Sequence, residues 1–191
     1  MKIKEKILYS RIKNKDRQAF VKAYDLYVDQ IYRFIYFKVG NKEEAEDLSS
    51  AVFLKIWSYL QENNIIDSKT LRPLLYKIAR NIIIDHYRKI NQRENVSLDK
   101  TMEQGGLIDV KQDIAQRAEV MSDLMVIETK LPELKEEYRE VIIMRYINEL
   151  SIKEIAEILD KSKGNVRVLI YRALSTLKEL MNQDENKNNF G

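Results

Sequence analysis

Apolar residues recur every three or four positions along most of this chain, so the pattern predicts helices nearly throughout. Ile3, Ile7, Leu8 and Ile12 share the inward side of a short first helix over 2–14. Asp16 is placed to cap a second helix over about 17–39, with Phe20, Tyr24, Tyr27, Ile31 and Ile35 as its inward stripe. Gly40 is a natural stop. Asn41, with Glu44 three residues on, starts a third helix. Its apolar face, Ala45, Leu48, Val52, Ile56 and Tyr59, is widened by Phe53, Trp57 and Leu60, as in a helix gripped from two sides. Residues 61–70 are polar apart from Ile65 and Ile66 and read as a loop, tucked onto the core or used as a contact. Thr70 is a candidate cap for a fourth helix, which tolerates Pro73 in its first turn. Leu74, Leu75, Tyr76, Ile78 and Ile82 supply its apolar mass.

After Arg93 the periodicity breaks. Residues 94–111 hold Gly105-Gly106 and read as a linker between two domains. From Glu94 to Glu137 there are eleven acids against five bases, so the linker region is acidic. Helical pattern returns over 112–130 through Ile114, Val120, Met121, Leu124, Met125 and Ile127. Pro132 opens another helix over 133–148, with Leu134, Tyr138, Val141, Ile142 and Tyr146 inward. Then come two helices joined by a tight turn, over 151–178. Ser151 and Glu154 make a capping box, and Leu150 and Ile155 a hydrophobic staple. Ile152, Ile155, Ala156 and Leu159 line one face of the first of these helices. Asp160-Lys161-Ser162 makes the turn, Ser162 caps the second helix, and Val166, Ile170, Ala173, Leu174 and Leu177 face inward there. The tail, 182–191, has the composition of disorder. The expected fold is all-α: two small helical domains, 1–93 and 112–181, joined by a flexible acidic linker, the C-terminal one containing a helix-turn-helix.

Composition narrows the function. The 191 residues are 45% hydrophobic and 33% charged, as in a soluble globular protein. With no cysteine there is no disulfide or thiolate metal site, and the single His86 cannot form a histidine-rich cluster. No cofactor or Gly-rich phosphate loop is indicated. No apolar run has membrane-spanning length and the N-terminus has no signal-peptide core, so a cytoplasmic protein without membrane insertion is expected.

The net charge of +3 is uninformative, but its distribution is not. From Lys161 to Lys178 there are five Lys or Arg and no acid. The face opposite the apolar stripe holds Asn165, Val168, Arg172 and Ser175, with Tyr171 beside it, which suits the DNA major groove. From Lys69 to Arg93 there are seven cations against Asp85 alone. With Tyr76, Asn81 and Tyr87 among them, this helix suits single-stranded nucleic acid: cations track phosphates and rings stack on bases. Either basic helix also fits a plain solvated face, and the second a membrane surface. Glu43, Glu44, Glu46 and Asp47 either compensate a helix dipole or form an acidic docking surface.

Four stretches, AEDLSSAVFLKIW, LLYKIARNIIIDHYRK, LPELKEEYREVIIMRY and LSIKEIAEIL with NVRVLIYRALSTLK, closely resemble bacterial sigma factors in order and spacing. The two-domain layout is similar to the extracytoplasmic-function (ECF) group, and the resemblance covers about 10–181. It implies a dissociable initiation subunit of RNA polymerase, not an enzyme by itself. Region 2, about 10–93, would dock on the β′ clamp helices and capture the melted non-template strand of the −10 element. Region 4, about 112–181, would bind the β flap and read the −35 element as duplex. The linker 94–111 would thread the catalytic channels, and an anti-sigma factor is a further candidate partner. By position, the resemblance implies core contacts at Asp47, Ser50, Phe53 and Trp57, and −10 contacts at Asn81, Asp85, Arg80, Arg88 and Tyr76. It implies −35 contacts at Lys163, Asn165, Arg167, Val168, Tyr171 and Arg172. The chain departs from the family pattern at Ser50-Ala51, where Gln-Glu is common, and at Leu74, where Trp is usual. Two other readings stay open: a helix-turn-helix regulator binding an operator as a dimer, and a helical decoy that sequesters polymerase.

Overall fold

In the computed structural model, residues 2–62, 70–94 and 129–188 are described. Most of the loop expected over 61–70, nearly all of the linker and most of the helix expected over 112–130 lie outside them. All regular elements among the described residues are helical, and the chain divides into two compact units.

The first unit is built on α1 (Lys2–Lys13), α2 (Arg17–Val39), α3 (Lys42–Gln61) and α4 (Leu71–Glu94). In α1, Ile12 is buried as expected, but Ile7 is exposed and Tyr9 is buried in its stead. Lys15, at φ 61°, makes the turn into α2. Asp16 accepts the Ala19 N–H at 3.1 Å and pairs with Arg11 Nη2 at 2.7 Å. Those partners, the Ala19 N–H foremost, hold its carboxyl below the ordinary carboxylate range.

At the α2–α3 bend, Gly40 takes the left-handed conformation, φ 73°, and donates its N–H to the Tyr36 carbonyl at 2.8 Å. Asn41 then caps α3 by accepting the Glu44 N–H at 3.0 Å. The inward line of α2 is Ala19, Ala23, Tyr27, Ile31, Phe34 and Ile35. Phe20 and Tyr24, expected on that line, sit beside it instead. Ala19 and Ala23 are buried on that line, while the two rings meet aromatic side chains of α3. Phe20 lies against Trp57 and Tyr24 edge-on to Phe53, each with centroids 4.8 Å apart. α4 contacts both helices and contributes Leu71, Leu74, Leu75, Tyr76, Ile78, Ala79 and Ile83 to the core.

In the second unit, the helix expected over 133–148 is broken into three pieces. A 3-10 turn, Leu131–Glu133, carries Pro132. Leu134 is extended and buried, and α5 starts only at Glu136 and ends at Ile142. A π turn follows over Ile143–Ile147. The Asn148 N–H reaches the Ile143 carbonyl at 2.9 Å and the Leu150 N–H the Met144 carbonyl at 2.8 Å. This wider turn brings Ile143 and Met144 into the core with Val141 and Ile142, and leaves Tyr146, expected inward, exposed. α6 (Ile152–Leu159) and α7 (Lys163–Asn188) complete the unit. α7 runs through 182–188, which composition assigns to a disordered tail.

Candidate nucleic-acid and polymerase-binding faces

The α6–α7 turn is fixed at both ends by local polar bonds. Ser151 donates its N–H to Glu154 Oε2 at 2.8 Å, and the Glu154 N–H reaches Ser151 Oγ at 3.3 Å, closing the capping box. Leu150 and Ile155, the staple pair, are both buried. Asp160, at φ 51°, ends α6, and the Lys161 N–H bonds the Ala156 carbonyl at 3.0 Å. Ser162 Oγ accepts the Asn165 N–H at 3.1 Å and starts α7.

Val166, Ile170, Ala173 and Leu177 of α7 are buried. Leu174, expected with them, is exposed, because α7 is covered over a narrower sector than its apolar residues span. Lys163, Asn165, Arg167, Val168, Tyr171 and Arg172 are all exposed, and Tyr171 retains 75% of its surface. This face therefore combines exposed cations, one amide, one β-branched side chain and one ring. Such a set can contact phosphates, base edges and thymine methyls in a major groove.

On α4, Asn81, Asp85 and Arg88 are exposed at i, i+4 and i+7, and Arg80 is half-buried beside them. Arg88 Nη1 lies 3.4 Å from Asp85 Oδ1. Tyr76 cannot join them. It is 0% exposed and sits edge-on to Phe34, centroids 5.0 Å apart, so its ring is core and unavailable for stacking on a base. Polar ties hold α4 to α2, α3 and the bend between them. Arg72 donates to Gln30 Oε1 at 2.7 and 3.1 Å, His86 Nε2 lies 3.1 Å from Glu44 Oε2, and Tyr87 donates its hydroxyl to the Lys38 carbonyl at 2.8 Å. Glu44 thus reaches across to α4; its backbone N–H is capped by Asn41, but its carboxylate serves His86. Of the three consecutive isoleucines, Ile82 is half-buried, Ile83 buried and Ile84 exposed.

On α3, Asp47 and Ser50 are exposed, with Glu43 and Glu46 near them. Phe53 is not part of this face: at 4% exposure it is core, packed on Tyr24. Trp57 is half-buried against Phe20. Leu54, which the sequence reading did not single out, is 69% exposed on the same helix, two turns on from Asp47 and one turn on from Ser50. Its spacing, i+7 from Asp47 and i+4 from Ser50, is the signal that marks it. No helix among the described residues is long and apolar enough to cross a membrane.

Comparison with known proteins matches both units. Residues 23–94 match the model of Sigma-70 region 2, and residues 124–177 that of Sigma-70, region 4. The ECF RNA polymerase sigma factor SigW of Bacillus subtilis is 31% identical over 186 residues, spanning 94% of this chain and 96% of that protein. The ECF RNA polymerase sigma factor SigM of the same organism is 30% identical over 164 residues, 85% of this chain and 95% of that protein. Among solved structures, the fold is shared with the sigma factor RpoE of Bartonella quintana, in complex with the anti-sigma factor NepR. That likeness has a TM-score of 0.68 at 24% identity and covers 85% of this chain and 96% of that one. CnrH, in complex with the cytosolic domain of CnrY, shares it with a TM-score of 0.66 at 20% identity, over 94% of this chain and 98% of that one. Two helical units, a capped helix-turn-helix and a basic fourth helix, together with these matches, make the chain a member of the sigma-70 family of RNA polymerase sigma factors, in its ECF group.

Proposed function

We propose that the chain directs core polymerase to promoters through three separate faces. Lys163, Asn165, Arg167, Val168, Tyr171 and Arg172 of α7 read the −35 element as duplex. Asn81, Asp85, Arg80 and Arg88 of α4 hold the melted −10 strand. Asp47, Ser50 and Leu54 of α3 meet the β′ clamp helices, with Trp57 at the edge of that contact, while region 4 meets the β flap. Asn81 is the natural base reader, since its amide offers both donors and an acceptor. Flipping a base costs a few kcal/mol, and hydrogen bonds of that kind offset it. The protein acts in the cytoplasm and has no catalytic chemistry of its own; bond formation belongs to the polymerase. The sigma factor RpoE, which shares the fold and is solved in complex with the anti-sigma factor NepR, supports such a partner here.

The observation that carries the reading is the state of α7: all six candidate side chains are exposed, while its apolar positions Val166, Ile170, Ala173 and Leu177 are buried. The test is run-off transcription from selected promoter templates with core polymerase, with and without the chain. Transcripts that depend on the chain support it. An operator-binding regulator would instead bind duplex without core and give no transcript. Arg172→Ala should reduce discrimination at one −35 position by about 1–3 kcal/mol, the value of a good bidentate base contact.

A further inference from the structure

On α4 the outward face is polar and cationic except at its centre. Ile84 is 49% exposed there. Its neighbours one turn away, at i−4, i−3, i+3 and i+4, are Arg80, Asn81, Tyr87 and Arg88. Asn81 and Arg88 are exposed, and Tyr87 has its hydroxyl on the Lys38 carbonyl. A β-branched side chain has little rotamer freedom on a helix, so Ile84 is a rigid apolar point rather than a mobile one. A solvated helix face gains nothing from an isoleucine in this position. A face that receives an unstacked base does, because a base leaving the duplex exposes an apolar surface that an aliphatic side chain can cover.

We infer that Ile84 is the apolar seat for one unstacked base of the melted strand, with Asn81 supplying hydrogen bonds and Arg80 and Arg88 meeting the phosphates on either side. This rests on the reading of α4 as the strand-holding helix and adds a residue to it. Of the two rings that the sequence offers for stacking, Tyr76 is in the core and Tyr87 is tied by its hydroxyl to the Lys38 carbonyl. Ile84 takes over that role from the outer face.

The test uses holoenzyme reconstituted from core polymerase and the full chain, on a promoter selected by that holoenzyme and opened in advance by mismatches. Abasic sites are placed one position at a time in the non-template strand. With the wild type, one position should lose about tenfold in affinity, the scale of covering one aliphatic side chain with a base. Ile84→Ala should lose about tenfold on the intact strand and nothing more at that abasic position, while other positions behave as in the wild type. Ile84→Leu should restore binding, and because Ile84 is exposed, neither variant should change the melting temperature. The slope of affinity against salt should be unchanged in both, since no phosphate contact is removed. Wild-type affinity of Ile84→Ala for the intact strand, or an undiminished abasic loss in that variant, overturns the inference. A wild-type holoenzyme with no preference for the opened promoter overturns the reading of α4 itself. An Asn81→Ala variant that is silent while Ile84→Ala shows the coupling removes Asn81 from the base pocket and leaves the apolar seat standing.

Discussion

Phe53 and Leu54 are adjacent in sequence and opposite in environment, which makes α3 a sharp test of the polymerase-facing surface. Phe53 is 4% exposed and packs edge-on to Tyr24; Leu54 is 69% exposed. Truncating a buried phenylalanine typically costs about 3–5 kcal/mol, part of it here the aromatic pair, itself worth about 0.5–1.5 kcal/mol. Against a domain stability of roughly 5–15 kcal/mol, Phe53→Ala removes a large fraction and should lower the melting temperature strongly. Leu54→Ala should change stability by less than about 0.5 kcal/mol, as is usual for exposed positions. If polymerase covers that exposed surface, the same change should cost about 1–2 kcal/mol of binding, roughly five- to thirtyfold in affinity. The assay is a circular-dichroism melt beside a titration of core polymerase, run well below the melting temperature of both variants. Phe53→Ala should then bind core nearly as the wild type does, and Leu54→Ala should bind more weakly. The reasoning fails if Leu54→Ala binds core with wild-type affinity, or if Phe53→Ala loses core affinity while melting normally.

Other variants probe the remaining elements. Ser151→Ala opens the capping box and should destabilise region 4 by about 1 kcal/mol, visible as a lower melting temperature and weaker −35 duplex binding. Arg88→Ala should reduce the salt slope of binding to opened promoter by about 0.7, one phosphate contact on a single strand. Arg72→Ala should leave that slope unchanged and lower the melting temperature, since Arg72 is engaged with Gln30. The lowered carboxyl of Asp16 contributes stability above the ordinary carboxylate value, about pH 4, that is lost as pH falls through its folded value. Asp16→Asn should therefore flatten the acid limb of a plot of melting temperature against pH; an unchanged limb would mean that the cap carries no linkage.

Helix existence was legible because the 3.6-residue period is strong and the caps are explicit. Asp16, Asn41, Ser151 and Ser162 all cap as their chemistry suggests, and Gly40 takes the left-handed turn. Helix rotation was less legible. Periodicity marks an apolar sector but not which edge of it a neighbour covers, so it places Tyr24, Tyr146 and Leu174 inward; the contact role of Phe53 comes from the resemblance alone, and its burial against Tyr24 removes it. The π turn at Ile143–Ile147 is the clearest example. It adds one residue to the turn, and periodicity counted at 3.6 residues then assigns Tyr146 to the wrong side. Nothing local in IMRYI announces it, because its bonds close on Asn148 and Leu150, where Glu149 turns with φ 53°.

The charged sites show the same limit in another form. Counting cations from Lys69 to Arg93 treats seven positive charges as equivalent, yet long side chains differ in what they are already holding. Arg72 spends two hydrogen bonds on Gln30 and fixes the start of α4 to α2. Arg88 lies exposed, 3.4 Å from Asp85, a surface pair weak enough for a phosphate to compete with. His86 and Tyr87 anchor the far half of α4 through Glu44 and the Lys38 carbonyl, partners 42 and 49 residues away in sequence. No spacing rule within α4 could have paired them, because the α2–α3 bend brings those partners to it. What the sequence did contain is the run Ile82-Ile83-Ile84. Three successive residues on a helix span about 200°, wider than the sector of α4 that its neighbours cover, so the three isoleucines differ in burial. One of them had to stand outside, and Ile83 is buried while Ile84 faces out between Asn81 and Arg88.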